Sequence, residues 1–97
     1  MDPLATFTVE TFRDRVGETF DATDAETSLR LTSVLDEGAG AGLRAGGAFT
    51  LTFEADGEQP LPQAIHQLEH EELGSFGLFM HPVARTSTGF AYQAVFN

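Results

Sequence analysis

Phe49-Thr50-Leu51-Thr52-Phe53-Glu54 is the stretch that decides the fold. Phe49, Leu51 and Phe53 alternate with Thr50, Thr52 and Glu54. A side-chain period of two belongs to a pleated strand with one apolar face and one wet face. The same period recurs outward from it. Leu29 and Leu31 alternate with Arg30 and Thr32, and then Val34 falls where strict alternation puts a polar side chain. A β-bulge is expected near Thr32 and Ser33. A brief strand from Thr19 to Ala22 precedes a turn at Asp24 to Glu26. At the C-terminus Phe90, Tyr92, Ala94 and Phe96 alternate with Ala91, Gln93 and Val95. Ala64 to His70 fits a strand with Ile65 on one face and Leu68 on the other. Ser75 to Val83 carries apolar residues of both parities, Phe76, Leu78 and Met80 against Phe79 and Val83, which predicts burial on both faces, with a helix over one.

Turn chemistry separates these runs. Glu37 to Gly47 is glycine-rich, with Leu43 its one large apolar residue, and reads as a mobile loop. Asp56-Gly57 ends one strand, Pro60 and Pro62 keep the next segment out of regular ladders, and Leu73-Gly74 and Thr86 to Gly89 mark two further turns.

Before the strands lies one short helix. Thr8 suits the N-cap, Val9 opens the helix, and Glu10 places a negative charge beside the free N–H groups. Phe7 and Phe12 have the spacing of a hydrophobic staple. Arg13 and Arg15 are expected in the last turn, Gly17 as the left-handed stop, and Phe12 and Val16 on one face. Two turns are not stable alone, so this helix must dock on an apolar surface. The expected fold is mainly β: a small antiparallel β-barrel or curled sheet of about six strands, with the short N-terminal helix packed as a plug. A two-layer α+β sheet with the helix on one face is the alternative.

Length and composition bound the function. The 97 residues make a single domain, 1–97, with one modest core. The chain has no Cys, which excludes disulfides, thiolate metal sites and a cysteine nucleophile. Fifteen acids against five bases, every base an Arg, give a net charge of −10. Phosphate backbones and anionic membrane surfaces repel such a chain, so neither nucleic acid nor membrane is an expected partner. The sequence shows no apolar run of spanning length and no secretory leader, and the expected location is the cytoplasm or a particle that incorporates the chain.

The sharpest motif is His66-Gln67-Leu68-Glu69-His70, which satisfies the H-x-x-E-H signature of one zinc-peptidase class. That chemistry needs both histidines on one helical turn, ~6 Å apart, with the Glu beside them. In a strand the two lie ~13 Å apart and the Glu faces the other way. The flanking prolines and glycine favour the strand. A second constellation pairs His66 with His81 across a hairpin centred between Leu73 and Gly74, where a one-residue shift of register destroys it. His70, ending a strand beside a turn, is the candidate structural histidine for free backbone groups. Gly38-Ala39-Gly40-Ala41-Gly42 lacks the Gly-Lys-Ser/Thr ending of a phosphate loop, and no G-x-S-x-G surrounds a serine. Acid pairs Glu71-Glu72 and Asp24/Glu26 fall in turns and read as solvated surface. No residue is assigned a catalytic, cofactor-binding or metal-ligating role.

Taken together, Phe12…Val16-Gly17-Glu18-x-Phe20, Phe49-x-Leu51-x-Phe53, Leu68-Glu69-His70-x-x-Leu73-Gly74-x-Phe76 and the terminal Tyr92-x-Ala94-Val95-Phe96-Asn97 carry a resemblance. The chain resembles a family of small bacterial proteins classed only as a domain of unknown function, ending in Tyr-x-Ala-Val-Phe-Asn. The resemblance implies tail-collar-type proteins as genomic neighbours and a role in a tail-like or surface-adhesin assembly. It brings no catalytic residues. The functional expectation is a non-enzymatic structural or interaction module with a protein partner or as a homo-oligomer. Two alternatives stand beside it: a small-ligand-binding barrel with a Phe-rich interior and Tyr92 lining the pocket, and a zinc hydrolase using His66, Glu69 and His70. Phe96 and Val95 are both expected to be buried, so that removing residues 95–97 costs several kcal/mol, about 1.5–3 for each side chain.

Overall fold

A computed structural model describes residues 3–38 and 47–97. Residues 39–46, the greater part of the segment expected as a mobile loop and most of the Gly38–Gly42 run, lie outside the described residues. A 3-10 turn at Pro3–Thr6 leads into α1 (Val9–Arg13), and six strands follow: β1 (Thr19–Ala22), β2 (Thr27–Asp36), β3 (Phe49–Asp56), β4 (Ala64–His70), β5 (Gly74–Arg85) and β6 (Gly89–Phe96). They close into an antiparallel barrel in the order β1-β2-β3-β6-β5-β4, which overturns the two-layer alternative. The expected bulge is present: the β2–β3 register shifts between Leu31 and Ser33.

The alternating residues meet inside. Phe20, Leu29, Leu31, Leu51, Phe53 and Leu68 are fully buried. α1 closes one end through Phe12, whose ring lies 6.3 Å from Phe20, 6.0 Å from Phe49 and 5.9 Å from Phe96. Phe49 and Phe96 stack at 4.4 Å. The staple forms edge to face, with Phe7 and Phe12 5.4 Å apart. Burying Phe7, Val9 and Phe12 contributes roughly 1.5–3 kcal/mol each, which holds a five-residue helix that has no stability of its own. The β3–β4 connection lays Leu61 against the core, pinned by its N–H donating to the Tyr92 hydroxyl at 2.9 Å.

Four expectations are corrected. The helix ends at Arg13, so Arg15 lies past its last turn, although its Nε still reaches back to the Thr11 carbonyl at 2.9 Å. With the helix that short, Val16 leaves the face of Phe12 and is half exposed. β5 is buried on one face only, because a closed barrel has one interior and α1 covers its end rather than its wall; Phe79 and Val83 stay outside. Val95 also faces outward and is half exposed, so the apolar burial at the C-terminus rests on Phe96.

Candidate functional site

The described residues place His66 and His70 on the inner face of β4, flanking the fully buried Leu68, and the two rings are almost completely buried. Glu69 points outward and pairs with Ser75 on β5. The H-x-x-E-H residues are therefore spread along a pleat with ~13 Å between the histidine Cα positions, and the Glu lies on the opposite face. Among the described residues no group of three or more His, Asp or Glu side chains converges as a metal site would require.

Each histidine instead reaches a carboxylate at one end of β1. His66 Nδ1 lies 2.9 Å from Asp24 Oδ2, and its Nε2 lies 2.8 Å from the Pro62 carbonyl oxygen. Both ring nitrogens of His66 are thus engaged. Asp24 Oδ1 also accepts the Gln67 N–H at 3.0 Å. His70 has the reverse arrangement. Its Nδ1 accepts the N–H groups of Glu72 and Leu73 at 3.0 and 3.1 Å, which leaves Nε2 to donate to Glu18 Oε1 at 2.7 Å. The expected structural role of His70 at the turn is what the geometry shows. Its ring also packs on Phe20, centroids 4.5 Å apart.

These contacts bracket the narrowest seam of the barrel. β1 pairs with β4 only at Asp21↔Glu69 and Ala22↔Leu68, extended by the Thr23 N–H to the Gln67 carbonyl at 2.9 Å. Asp24–His66 clasps one end of that ladder and Glu18–His70 the other. The electrostatics agree. The His70 N–H does most to hold the Glu18 carboxyl below its usual range; partial desolvation opposes it and Arg15 helps. For Asp24, desolvation pushes upward, but His66 and the Gln67 N–H together outweigh it and leave the carboxyl lowered.

The pairing of His66 with His81 is corrected. Gly74, with φ +79°, closes a three-residue loop over 71–73, so the β4–β5 hairpin centres on Glu72 rather than between Leu73 and Gly74. His66 then lies opposite Leu78, and His81 pairs with Gln93 on β6, on the outer parity. Asp24, read as solvated surface, and Glu18, singled out only within a family block, are the partners that sequence reasoning missed. The signal available was weak: an Asp just after a short strand and a Glu just before it. Glu72, also read as solvated, receives an Arg15 guanidinium bond at 2.9 Å.

An open cleft of about 450 Å³ lies beside this seam, lined by Gly17, Glu18, Thr19, His70, Glu71 and Glu72. His70 contributes to its wall but is committed on both ring nitrogens. The two histidine–carboxylate contacts fasten β1 to β4.

No curated protein and no solved structure matches this chain. Residues 7–96, a span that runs from the staple phenylalanine to the last strand, match the domain of unknown function DUF6916. The chain belongs to the DUF6916 family.

Proposed function

We propose that this chain is a non-enzymatic interaction module that works through its outer surface, as an accessory of a tail-like or surface-adhesin assembly. One observation carries the reading. Ile65 and Phe79 form a cross-strand pair on the outside of β4 and β5, 65% and 50% exposed. Exposed apolar residues set side by side are a feature of surfaces that meet another protein. The barrel interior supports the same reading from the other side. It is occupied by the rings of Phe12, Phe20, Phe49, Phe53 and Phe96, and the Tyr92 hydroxyl is committed to Leu61. The assembly itself is suggested by the family resemblance.

The test is in-cell crosslinking followed by purification of the tagged full chain. The expected result is a defined homo-oligomer or a stoichiometric protein partner, with structural proteins of a tail-like or adhesin particle among the partners. A strict monomer that retains nothing overturns the reading.

A further inference from the structure

A closed circuit of hydrogen bonds surrounds the cleft at the end of β4. His70 Nε2 reaches Glu18 Oε1 at 2.7 Å, and the Arg15 guanidinium reaches the same Glu18 oxygen at 3.4 Å and Glu72 Oε1 at 2.9 Å. The Glu72 N–H then returns to His70 Nδ1 at 3.0 Å, where the Leu73 N–H joins it at 3.1 Å. Arg15 is tied in turn to the α1 backbone through the Thr11 carbonyl. These residues couple the turn over 71–73 to the segment that leads from α1 into β1.

The partners fix where the ring proton is. A backbone N–H can only donate, so His70 Nδ1 carries no proton in this arrangement, and the one ring proton sits on Nε2. A second proton has one place to go, which is Nδ1. An Nδ1–H would point at two N–H groups, and both contacts would turn from attraction to repulsion. Turning the ring over does not help, since it puts carbon atoms where the two nitrogens now bond. The ring has no room to withdraw, because its side chain is 4% exposed and lies 4.5 Å from the Phe20 ring. The turn is what can move. Glu71 and Glu72 are exposed, and Leu73 is its contact with the core.

We infer that His70 is a proton-operated latch: when its ring takes up a second proton it releases the Glu72 and Leu73 amides, the turn swings out, and Leu73 leaves the core. The latch is independent of the interaction-module reading. The charged groups around the ring agree with it. Glu18, before β1, is held below its ordinary range chiefly by the His70 N–H, so it remains a carboxylate and keeps the charged ring in place while the turn departs. Arg15 holds both Glu18 and Glu72, and stays with Glu18 when Glu72 leaves. Glu71 and Glu72, on the turn itself, are the other charges on the cleft wall. β1 sets the Phe20 ring against His70, and β5 sets the Gly74 backbone opposite it. His66, the other buried histidine of β4, makes its contacts with Asp24 and the Pro62 carbonyl at the far end of the strand.

Nuclear magnetic resonance of the isotope-labelled full chain, titrated from about pH 8 to about pH 5, tests this, because an imidazole ordinarily changes charge in that range and carboxyl groups ordinarily do not. At the alkaline end the ring nitrogen signals of His70 should show a bare Nδ1 and a protonated Nε2. As Nδ1 takes up its proton, the amide signals of Glu72 and Leu73 should shift with the same midpoint. Their protection against hydrogen exchange, corrected for the intrinsic pH dependence, should fall about tenfold as the two hydrogen bonds are lost. The amides shared by β3 and β6 should keep their protection, which separates release of the turn from unfolding. His70→Asn places a side-chain oxygen near the Nδ1 position and does not titrate, so the two amides should be equally protected at both ends of the range. A protonated Nδ1 at the alkaline end overturns the inference. So does a ring that takes up no second proton within the range, an uptake that Glu72 and Leu73 do not follow, or a pH response that persists in His70→Asn. The wild-type titration decides the matter even where the variant does not fold.

Discussion

His66 Nδ1 lies 2.9 Å from Asp24 Oδ2, and the two residues stand where the β1–β4 pairing of Ala22 with Leu68 would continue two places further. A side-chain contact thus takes over where the backbone ladder stops. Asp24→Ala should lower stability by about 1 kcal/mol, a charged hydrogen bond discounted for the partly exposed carboxylate. His66→Phe keeps a ring in the space but strands the Pro62 carbonyl, and should cost about 1–3 kcal/mol. Urea titration reads both. An unchanged midpoint in His66→Phe would mean that the clasp contributes nothing.

Acid should weaken the same seam. Glu18 and Asp24 are both held below their ordinary values of 4.5 and 3.8. A carboxyl lowered in the folded state stabilises the fold in full above its unfolded value, and that contribution disappears as pH falls through the folded one. The melting temperature should therefore be insensitive to these two groups near neutral pH and should drop as pH goes below about 4.5. In the Glu18→Gln, Asp24→Asn double variant this acid-side loss should be shallower. An identical acid limb in variant and wild type contradicts the assignment.

Phe96 anchors the last strand. It stacks on Phe49 and packs against Phe12, so Phe96→Ala should cost about 3–5 kcal/mol. Val95→Ala, at a half-exposed position, should cost well under half of that in the same denaturant series. Equal losses from the two substitutions would contradict the inward and outward assignments of β6.

Two glycines should respond differently to the same change. A Cβ at Gly89 would fall 2.0 Å from the Ala55 carbonyl oxygen and 2.7 Å from Asp56 Cα, backbone atoms that have no rotamer to change. Gly89→Ala should cost about 1–3 kcal/mol or more, because the β3 backbone at Ala55 and Asp56 must move away from its register partner on β6. Gly17 has open space around it and a φ of +96°, so Gly17→Ala should cost only about 1 kcal/mol through backbone strain. Thermal melts compare them directly, and a Gly17 variant as damaged as the Gly89 variant would contradict the steric argument.

The barrel was legible wherever a residue's role depends on its near neighbours in sequence. The period of two from Phe49 to Glu54, the bulge after Leu31 and the Phe7–Phe12 staple are local patterns with local causes. His70 was legible for the same reason, since the amides it caps are two and three residues away. The exposure of Phe79 was not, because both parities of β5 are apolar and only closure of the barrel decides which looks inward. The partner of His66 was not legible either. Asp24 lies forty-two residues earlier, and its carboxylate resembles any other turn acid until β1 and β4 are side by side. The proposed His66–His81 register failed by a small displacement of the turn centre, which moved His66 opposite Leu78.

The uneven stitching around the barrel has a dynamic consequence. Eight residue pairs join β3 to β6, whereas two join β1 to β4. Breathing motions should start at that thin join, where the β1–β2 hairpin can swing away as one unit while the remaining strands keep their ladders. Hydrogen–deuterium exchange should find the Thr23 amide, bonded to the Gln67 carbonyl, swapping sooner than the amides shared by β3 and β6. Substitutions that tighten this one join are then the economical route to a slower-unfolding barrel.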